Sequence, residues 1–482
     1  MCVKNRDCPK DWTGFKILFD NNLAIKILGI LNSAGASFSE IYIQKRISNS
    51  IRLEDGKIEN SNSGFDLGCG LRVWKGESTF YGYVDSLEEG RLLEAAEVLS
   101  TAGKSSGAGR ILDLNSGLMP ARSSYDTSII KYPDKVAADS KKDILLNADR
   151  ICREYNNNII QVTASISDLE EEVYTANSYG NQSSQKVVKV FLSVNAVAGK
   201  GGEIRTGYKS LARTAGYEIL DGDAVEHAAG EASRIAITML DAIDAPTGTL
   251  PVVIGPAFGG VIFHEACGHG LEADAVLKDA TVFKDMTGKK IASDIVTAID
   301  DSTLPYHWGS YKFDGEGIPS KRTTLIKDGI LVNFIHDLRS SKKLGEEPTG
   351  NGRRQSYRHV PIPRMSNTYI ETGGSKKEDI IASVKKGIYA KEFAGGQVDP
   401  ATGDFVFGIS EGYLIKNGKA GAPIKGATLI GNGPDILKKI EAIADDIDYA
   451  PGFCGKQGQS MANEVGQPTI KISGITVGGT GS

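Results

Sequence analysis

The sequence predicts an α+β protein. Its N-terminal half reads as antiparallel strands and helices, and its C-terminal half as β-rich with one helix carrying the motif H-E-x-x-x-H. Three observations lead there. Strand-like and helix-like stretches fall in separate runs, which disfavours a doubly wound parallel sheet. Short alternating segments up to about residue 214 are separated by turn formers such as Glu54-Asp55-Gly56 and Trp74-Lys75-Gly76-Glu77, as a meander requires. Beyond residue 276, turn signals such as Lys327-Asp328-Gly329 and Asn417-Gly418 punctuate strand-like runs, and the second is a strong two-residue hairpin signal.

In chain order, residues 20–35 have helical periodicity with Asp20 or an asparagine available to cap them. Alternating runs follow at 39–46, 48–54, 68–74 and 78–84. A helical pattern at 87–101 leads to a small-residue stretch, 102–109, that reads as a loop. A two-faced helix is expected over 135–155, then hairpin-like segments near 158–166, 170–178, 187–196 and 202–214. Residues 222–240 form an alanine-rich helix on which His227 reads as a surface or packing residue. Proline and glycine break the pattern in Ala242-Ile-Asp-Ala-Pro246-Thr-Gly248, so we place a boundary there, giving domains 1–242 and 243–482. Residues 249–254 read as a strand, and Gly431 to Ile443 as a capped helix.

A chain of 482 residues is long enough for two or three domains. With 40% hydrophobic and 24% charged residues it reads as soluble and globular. The formal charge of −5 shows no basic excess, which argues against nucleic acid as a partner. No apolar run reaches the length of a membrane span, and the N-terminus lacks the charged-then-apolar order of a signal peptide, so a cytoplasmic location is expected. The six cysteines are scattered without C-x-x-C, so no disulfide framework is expected. Cys2 and Cys8 read as ordinary thiols, and Cys69 and Cys152 as small core residues.

The chemistry concentrates in Val261-Ile-Phe-His264-Glu265-Ala-Cys-Gly-His269-Gly-Leu-Glu272-Ala-Asp274. In H-E-x-x-H the histidines share a helical face, and the glutamate acts on the water. Here the spacing is one residue longer. Positions five apart diverge by roughly 140° on a regular helix, too far for two imidazoles to meet one ion. A π-bulge would restore them to one face, and Gly268 would make the deformation cheap. The plain alternative is a pair of packed, hydrogen-bonded core histidines. Against it, two of only six histidines fall here, a glutamate sits between them, and Glu272 and Asp274 follow as acceptors for imidazole N–H groups.

A catalytic zinc usually has three protein ligands and one open position. The third could be Glu272, Asp274, His307, His336, His359 or Cys454. Cys454 lies in a glycine-rich stretch with Lys456 nearby, a setting that can expose a thiol and favour thiolate, although a buried loop thiol fits the local pattern as well.

Taken together, several motifs resemble the TldD/PmbA family of metallopeptidases, on its TldD side. They are Gly259-Gly-Val-Ile-Phe-His-Glu-Ala-Cys-Gly-His-Gly-Leu-Glu-Ala-Asp274, Pro348-Thr-Gly-Asn-Gly-Arg-Arg354, Pro363-Arg-Met-Ser-Asn-Thr-Tyr369, Gly395-Gly-Gln-Val398, Lys425-Gly-Ala-Thr-Leu-Ile-Gly431, Cys454-Gly-Lys-Gln-Gly-Gln-Ser460 and Gly466-Gln-Pro468. The resemblance implies Zn²⁺ held by His264, His269 and Cys454, with Glu265 as catalytic base. It implies hydrolysis of unfolded or extended peptides bound like an added strand, and a homodimer or a heterodimer with a homologue lacking the zinc motif. Arg354, Tyr357 and His359 are candidate substrate-binding residues. Two other readings are a metal hydrolase of a non-peptide bond and a non-catalytic scaffold; the intact set of four residues weighs against the scaffold.

Overall fold

The computed structural model describes residues 19–33, 35–103, 118–125, 127–399 and 401–479. Cys2, Cys8 and residues 104–109 of the expected loop lie outside these. In the N-terminal half, strands β1 (Phe38–Glu54), β2 (Lys57–Lys75), β3 (Ser78–Val84), β4 (Met119–Pro120), β5 (Ile159–Asn177), β6 (Asn181–Lys200) and β7 (Glu203–Arg213) form one sheet. Its order is β3-β2-β1-β5-β6-β4, with β7 also on β6. Helices α1 (Asn21–Asn32) and α2 (Glu89–Ser100) bury Leu28, Leu31, Leu92 and Ala96 against Ile41, Ile43 and Leu71. Helices α3 (Ala138–Tyr155) and α4 (Ala224–Leu240) cover the strands further along, around Leu53, Val162, Ile166 and Leu192. Alternation explains the packing. Ile41, Ile43, Ile51 and Leu53 of β1 face the helices, while Gln44 and Arg46 turn to the C-terminal half and bond to the Tyr357 amide and the Gln355 carbonyl.

Several expectations on these elements need correcting. The runs at 39–46 and 48–54 are one strand, as are those at 158–166 and 170–178. More was missed in β2, expected only over 68–74. Its first part, Lys57–Phe65, is exposed on both faces yet pairs with β1 throughout, for instance Ser48 with Gly64 and Asn49 with Ser63. With neither face buried there is no apolar alternation to read. The helix expected over 431–443 ends at Lys438 and is followed by a strand from Ile440 to Ile443.

The C-terminal half contains strands β8 (Ile243–Asp244), β9 (Gly248–Ile254), β10 (Ala298–Asp301), β11 (Arg322–Lys327), β12 (Ile330–Leu331), β13 (Gly352–Arg353), β14 (Ile362–Pro363) and β15 (Asn367–Ile370). It continues with β16 (Lys386–Val398), β17 (Asp404–Lys416), β18 (Lys419–Lys425), β19 (Thr428–Asn432), β20 (Ile440–Ile443), β21 (Asp448–Lys456), β22 (Gln459–Gln467) and β23 (Ile470–Gly478). Among the described residues five short helices intervene: α5 (Val261–Ala266), α6 (Ala273–Leu277), α7 (Leu338–Leu344), α8 (Lys377–Ala382) and α9 (Gly433–Lys438). Pairing of β16 with β17 closes β9, β16, β17, β19 and β23 into a barrel. Val252, Ile254, Phe405, Phe407, Leu429 and Ile472 belong to its core. Beside it lies a six-stranded sheet ordered β12-β11-β10-β15-β22-β21, which places β21 at an edge. Among the described residues no helix is long and apolar enough to cross a membrane.

Candidate metal centre

The histidine motif begins where β9 leaves the barrel. A 3₁₀ turn at Ala257–Gly260 leads into α5, and its glycines permit close approach to β22. A Cβ on Gly260 would lie 2.8 Å from the Gly466 carbonyl oxygen, and one on Gly259 would lie 2.5 Å from Gln467 Nε2. The motif does not form a π-bulge. Helix α5 stops at Ala266, Cys267 takes φ −132° and ψ −45°, and a 3₁₀ turn covers Gly268–Leu271. Breaking the helix at Cys267 brings the histidines together: their ring centroids are 5.1 Å apart and nearly perpendicular. Gly268 serves packing rather than unusual angles, because its Cβ would lie 2.2 Å from Met365 Sδ.

Cys454 joins them from β21. It is therefore a strand residue, not a residue of a glycine-rich loop, and it is buried rather than exposed. Its Sγ is 3.1 Å from His269 Nε2, and donor atoms of His264, His269 and Cys454 all lie within 4.8 Å of one another. Burial alone would push the Cys454 thiol up, but the facing His264 and His269 outweigh it and bring it down to about 5. The histidines thus favour the thiolate; Lys456 reaches Glu272 and Asp274 instead, at 2.8 and 2.5 Å. Two imidazoles and a thiolate at this separation suit a tetrahedral ion of borderline softness with a fourth position open.

Supporting groups surround the three. His269 Nδ1 lies 2.9 Å from Glu272 Oε2, which fixes the ring and leaves Nε2 facing Cys454. Burial works against a charged Glu272, but Lys456, then His269 and Arg364, hold its carboxyl well below the usual carboxylate range. Glu265, a quarter exposed at its side chain, has Oε2 3.7 Å from His269 Nε2. Sequence reasoning missed Asn463 and Arg364. Asn463 Nδ2 lies 3.3 Å from His264 Nδ1 while its Oδ1 is buried without a partner among the described residues. Arg364 Nη2 donates to the Cys454 carbonyl at 2.6 Å.

Comparison with known proteins decides the family. The chain matches the PmbA/TldA metallopeptidase domain 1 over residues 39–103, the central domain over 131–240 and the C-terminal domain over 247–479. The chain belongs to the TldD/PmbA metallopeptidase family. It is 38% identical to the metalloprotease TldD homolog of Haemophilus influenzae, over 95% of this chain and 96% of that protein. The TldD homolog of Buchnera aphidicola from Acyrthosiphon pisum is 37% identical over 92% and 93%. The fold is that of TldE from Thermococcus kodakarensis, with a TM-score of 0.75 at 20% identity over 94% of this chain and 99% of that one. Membership makes the chain a metallopeptidase, a hydrolase whose chemistry is proteolysis.

The TldD/PmbA motifs beyond the histidine segment do not all converge on it. Of the candidate third ligands, His307 pairs with Glu464, His359 with Ser356, and His336 is buried near Thr349. Asp274 holds Lys456, and Glu272 sits behind His269. The candidate substrate residues lie where the two halves of the chain meet. Arg354 bonds to Glu40 and to the Gly315 carbonyl, with its guanidinium 4.2 Å from the centre of the Tyr42 ring. Tyr357 is fully buried, its hydroxyl 3.1 Å from Asp66, and it fits because Gly68 has no side chain. His359 Nδ1 is 2.9 Å from Ser356 Oγ. Arg354 also lines a cleft of about 500 Å³ between the halves, along with Tyr42, Lys189, Trp308 and Phe453.

Proposed function

We propose that this chain is a zinc-dependent peptidase that hydrolyses unfolded or extended peptides and small proteins, with His264, His269 and Cys454 as ligands and Glu265 as general base. The observation that carries the reading is the convergence of a thiol and an imidazole 185 residues apart in sequence, at 3.1 Å, beside a second imidazole. When bound there, a zinc ion would supply Lewis-acid polarisation of the scissile carbonyl and acidify a water. The protein's own groups do the rest. Glu272 holds His269 in the tautomer that offers Nε2. Glu265 takes a proton from the attacking water as its oxygen bonds to the carbonyl carbon, then delivers it to the leaving nitrogen as the C–N bond breaks.

Substrate access fits an edge strand. β21 ends the six-stranded sheet, and because its Gly452 and Cys454 carbonyls already accept from Trp308 and Arg364, an extended peptide would lie alongside Cys454 through side-chain contacts or after displacing those donors. Arg354, buried in the cleft wall against Glu40 and Tyr42, would support the surface the same peptide meets, with Tyr357 and His359 anchoring the loop that carries it. In this reading residues 1–242 hold substrate and partner, and residues 243–482 carry the chemistry. The partner is a second copy or a homologue without the zinc motif, and the location is cytoplasmic.

The test is zinc per chain and hydrolysis of an unfolded protein, measured for wild type and Cys454→Ser. Near-stoichiometric zinc, lost together with activity in the variant, supports the site. Full retention of zinc by Cys454→Ser would transfer the third position to a carboxylate or another histidine.

A further inference from the structure

The Cys454 hairpin has a positional problem. β21 is an edge strand, paired among the described residues with β22 alone, and its turn at Gln457–Gly458 follows three residues after the thiol. The histidines come from a separate segment more than 180 residues earlier. Sheet pairing alone fixes Cys454 relative to β22, not relative to His264 and His269.

Side chains supply the missing registration. Lys456 Nζ sits 2.8 Å from Glu272 Oε2, 2.5 Å from Asp274 Oδ1 and 3.4 Å from the Pro363 carbonyl oxygen. That uses all three ammonium donors. Gln457 Nε2 adds a bond of 3.0 Å to Asp274 Oδ2. Glu272 Oε2 is also the atom that meets His269 Nδ1. One fully buried carboxylate oxygen is therefore shared between the imidazole of one candidate ligand and the ammonium two residues from another.

We infer that Lys456 is a positioning residue: an ionic latch, with Glu272 and Asp274, that holds the Cys454 hairpin in register with the histidine segment. The inference rests on the metal-site reading above. Cys454 and Lys456 point to the same face of β21, so the lysine stem runs past the thiol to the carboxylates behind His269. Arg364 adds a weaker tie of the same kind, its Nη2 on the Cys454 carbonyl and its Nε 3.8 Å from Glu272 Oε1, so Lys456 carries the shorter of the two links.

The experiment compares full-length wild type, Lys456→Met and Lys456→Arg. Amide hydrogen exchange is followed in the metal-free chains, and zinc affinity by competition with a chelator. The latch predicts faster exchange in Lys456→Met confined to residues 448–467 and the segment 268–274, and zinc affinity lower by about 10–100-fold, the usual effect of removing a group that orients a ligand. Lys456→Arg, which keeps the charge, should recover part of both. Wild-type exchange in Lys456→Met overturns the latch, as does a rise spread over the whole chain with a lowered unfolding midpoint, which would mark a merely structural ion pair. Faster local exchange with unchanged zinc affinity overturns its role in positioning the ligand. Should wild type bind no zinc, the metal-site reading fails while the exchange comparison still decides the latch.

Discussion

Replacing Gly268 by alanine should weaken the metal centre, although local backbone considerations point the other way. Gly268 does not have a positive φ, so alanine is sterically admissible on the main chain and would stabilise by about 0.4–1 kcal/mol through the unfolded state. Packing reverses the sign. The added Cβ would stand 2.2 Å from Met365 Sδ and 3.0 Å from its Cε, and Met365 is 2% exposed with little room to retreat. Carbon contacts settle near about 3.5–4.0 Å, so the sulfur must move by more than an ångström. Overpacking of that kind costs about 1–3 kcal/mol, which exceeds the backbone gain. The displacement falls on His269, the next residue, and on Glu272, whose Oε1 accepts from the Met365 amide at 3.3 Å. Metal ligands tolerate shifts of only about 0.2 Å, so zinc affinity should fall with stability. Denaturant unfolding and zinc titration of Gly268→Ala, Met365→Ala and the double variant form a cycle in which the second substitution relieves the first by about 1–2 kcal/mol. Wild-type zinc affinity in Gly268→Ala, or strict additivity in the double variant, would refute the argument.

Two further outcomes follow from other parts of the structure. Glu265→Gln should lower kcat by about 10²–10⁴-fold while retaining zinc, measured by peptide hydrolysis alongside metal content; loss of the metal as well would move Glu265 from proton transfer to metal binding. The buried acids where the two halves meet should make stability fall as pH rises. Burial pushes the carboxyls of Glu316 and Asp314 up, against the pull of Arg72 at 2.6 Å from Glu316 and of three backbone amides on Asp314. The folded state then keeps protons that the unfolded chain releases, so stability drops as pH rises above the ordinary carboxylate range. Unfolding midpoints of Glu316→Gln should lose much of that slope between pH 5 and 8, and an unchanged slope would show that the acids are ionised in the native protein.

Much of the site was legible because it lies in one short segment. The two histidines, Glu265 and the following carboxylates occur within eleven residues, and their spacing alone required a deformed helix. The form of the deformation was not legible. A break at Cys267 and a π-bulge satisfy the same spacing, and in the fold the break leaves Gly268 packed under Met365, a residue about a hundred positions away. The first part of β2 was hidden because its exposed residues carry no pattern. Arg354 and Tyr357 read as candidate substrate-binding residues because they offer donors near the chemistry, and what the sequence could not show is that Glu40 and Asp66, on strands some 300 positions away, bond to them.

Lys456 marks the limit of reading neighbours along the chain. From sequence, a lysine two residues after a cysteine suggests a cation that lowers the thiol's pKa. In the fold both side chains lie on one face of β21, and that face meets the histidine segment, so the thiol finds two imidazoles while the longer lysine passes on to Glu272 and Asp274. The neighbouring Phe453 takes the opposite face, where it stays 61% exposed and packs near Trp308 and Phe191 beside the cleft. A two-residue period thus divides Phe453 from Cys454 and Lys456, one face toward the cleft and the other toward the chemistry. That division can be read from the strand once β21 is known to be a strand, but its consequence depends on which segment packs against each face, and that information lies almost two hundred residues away.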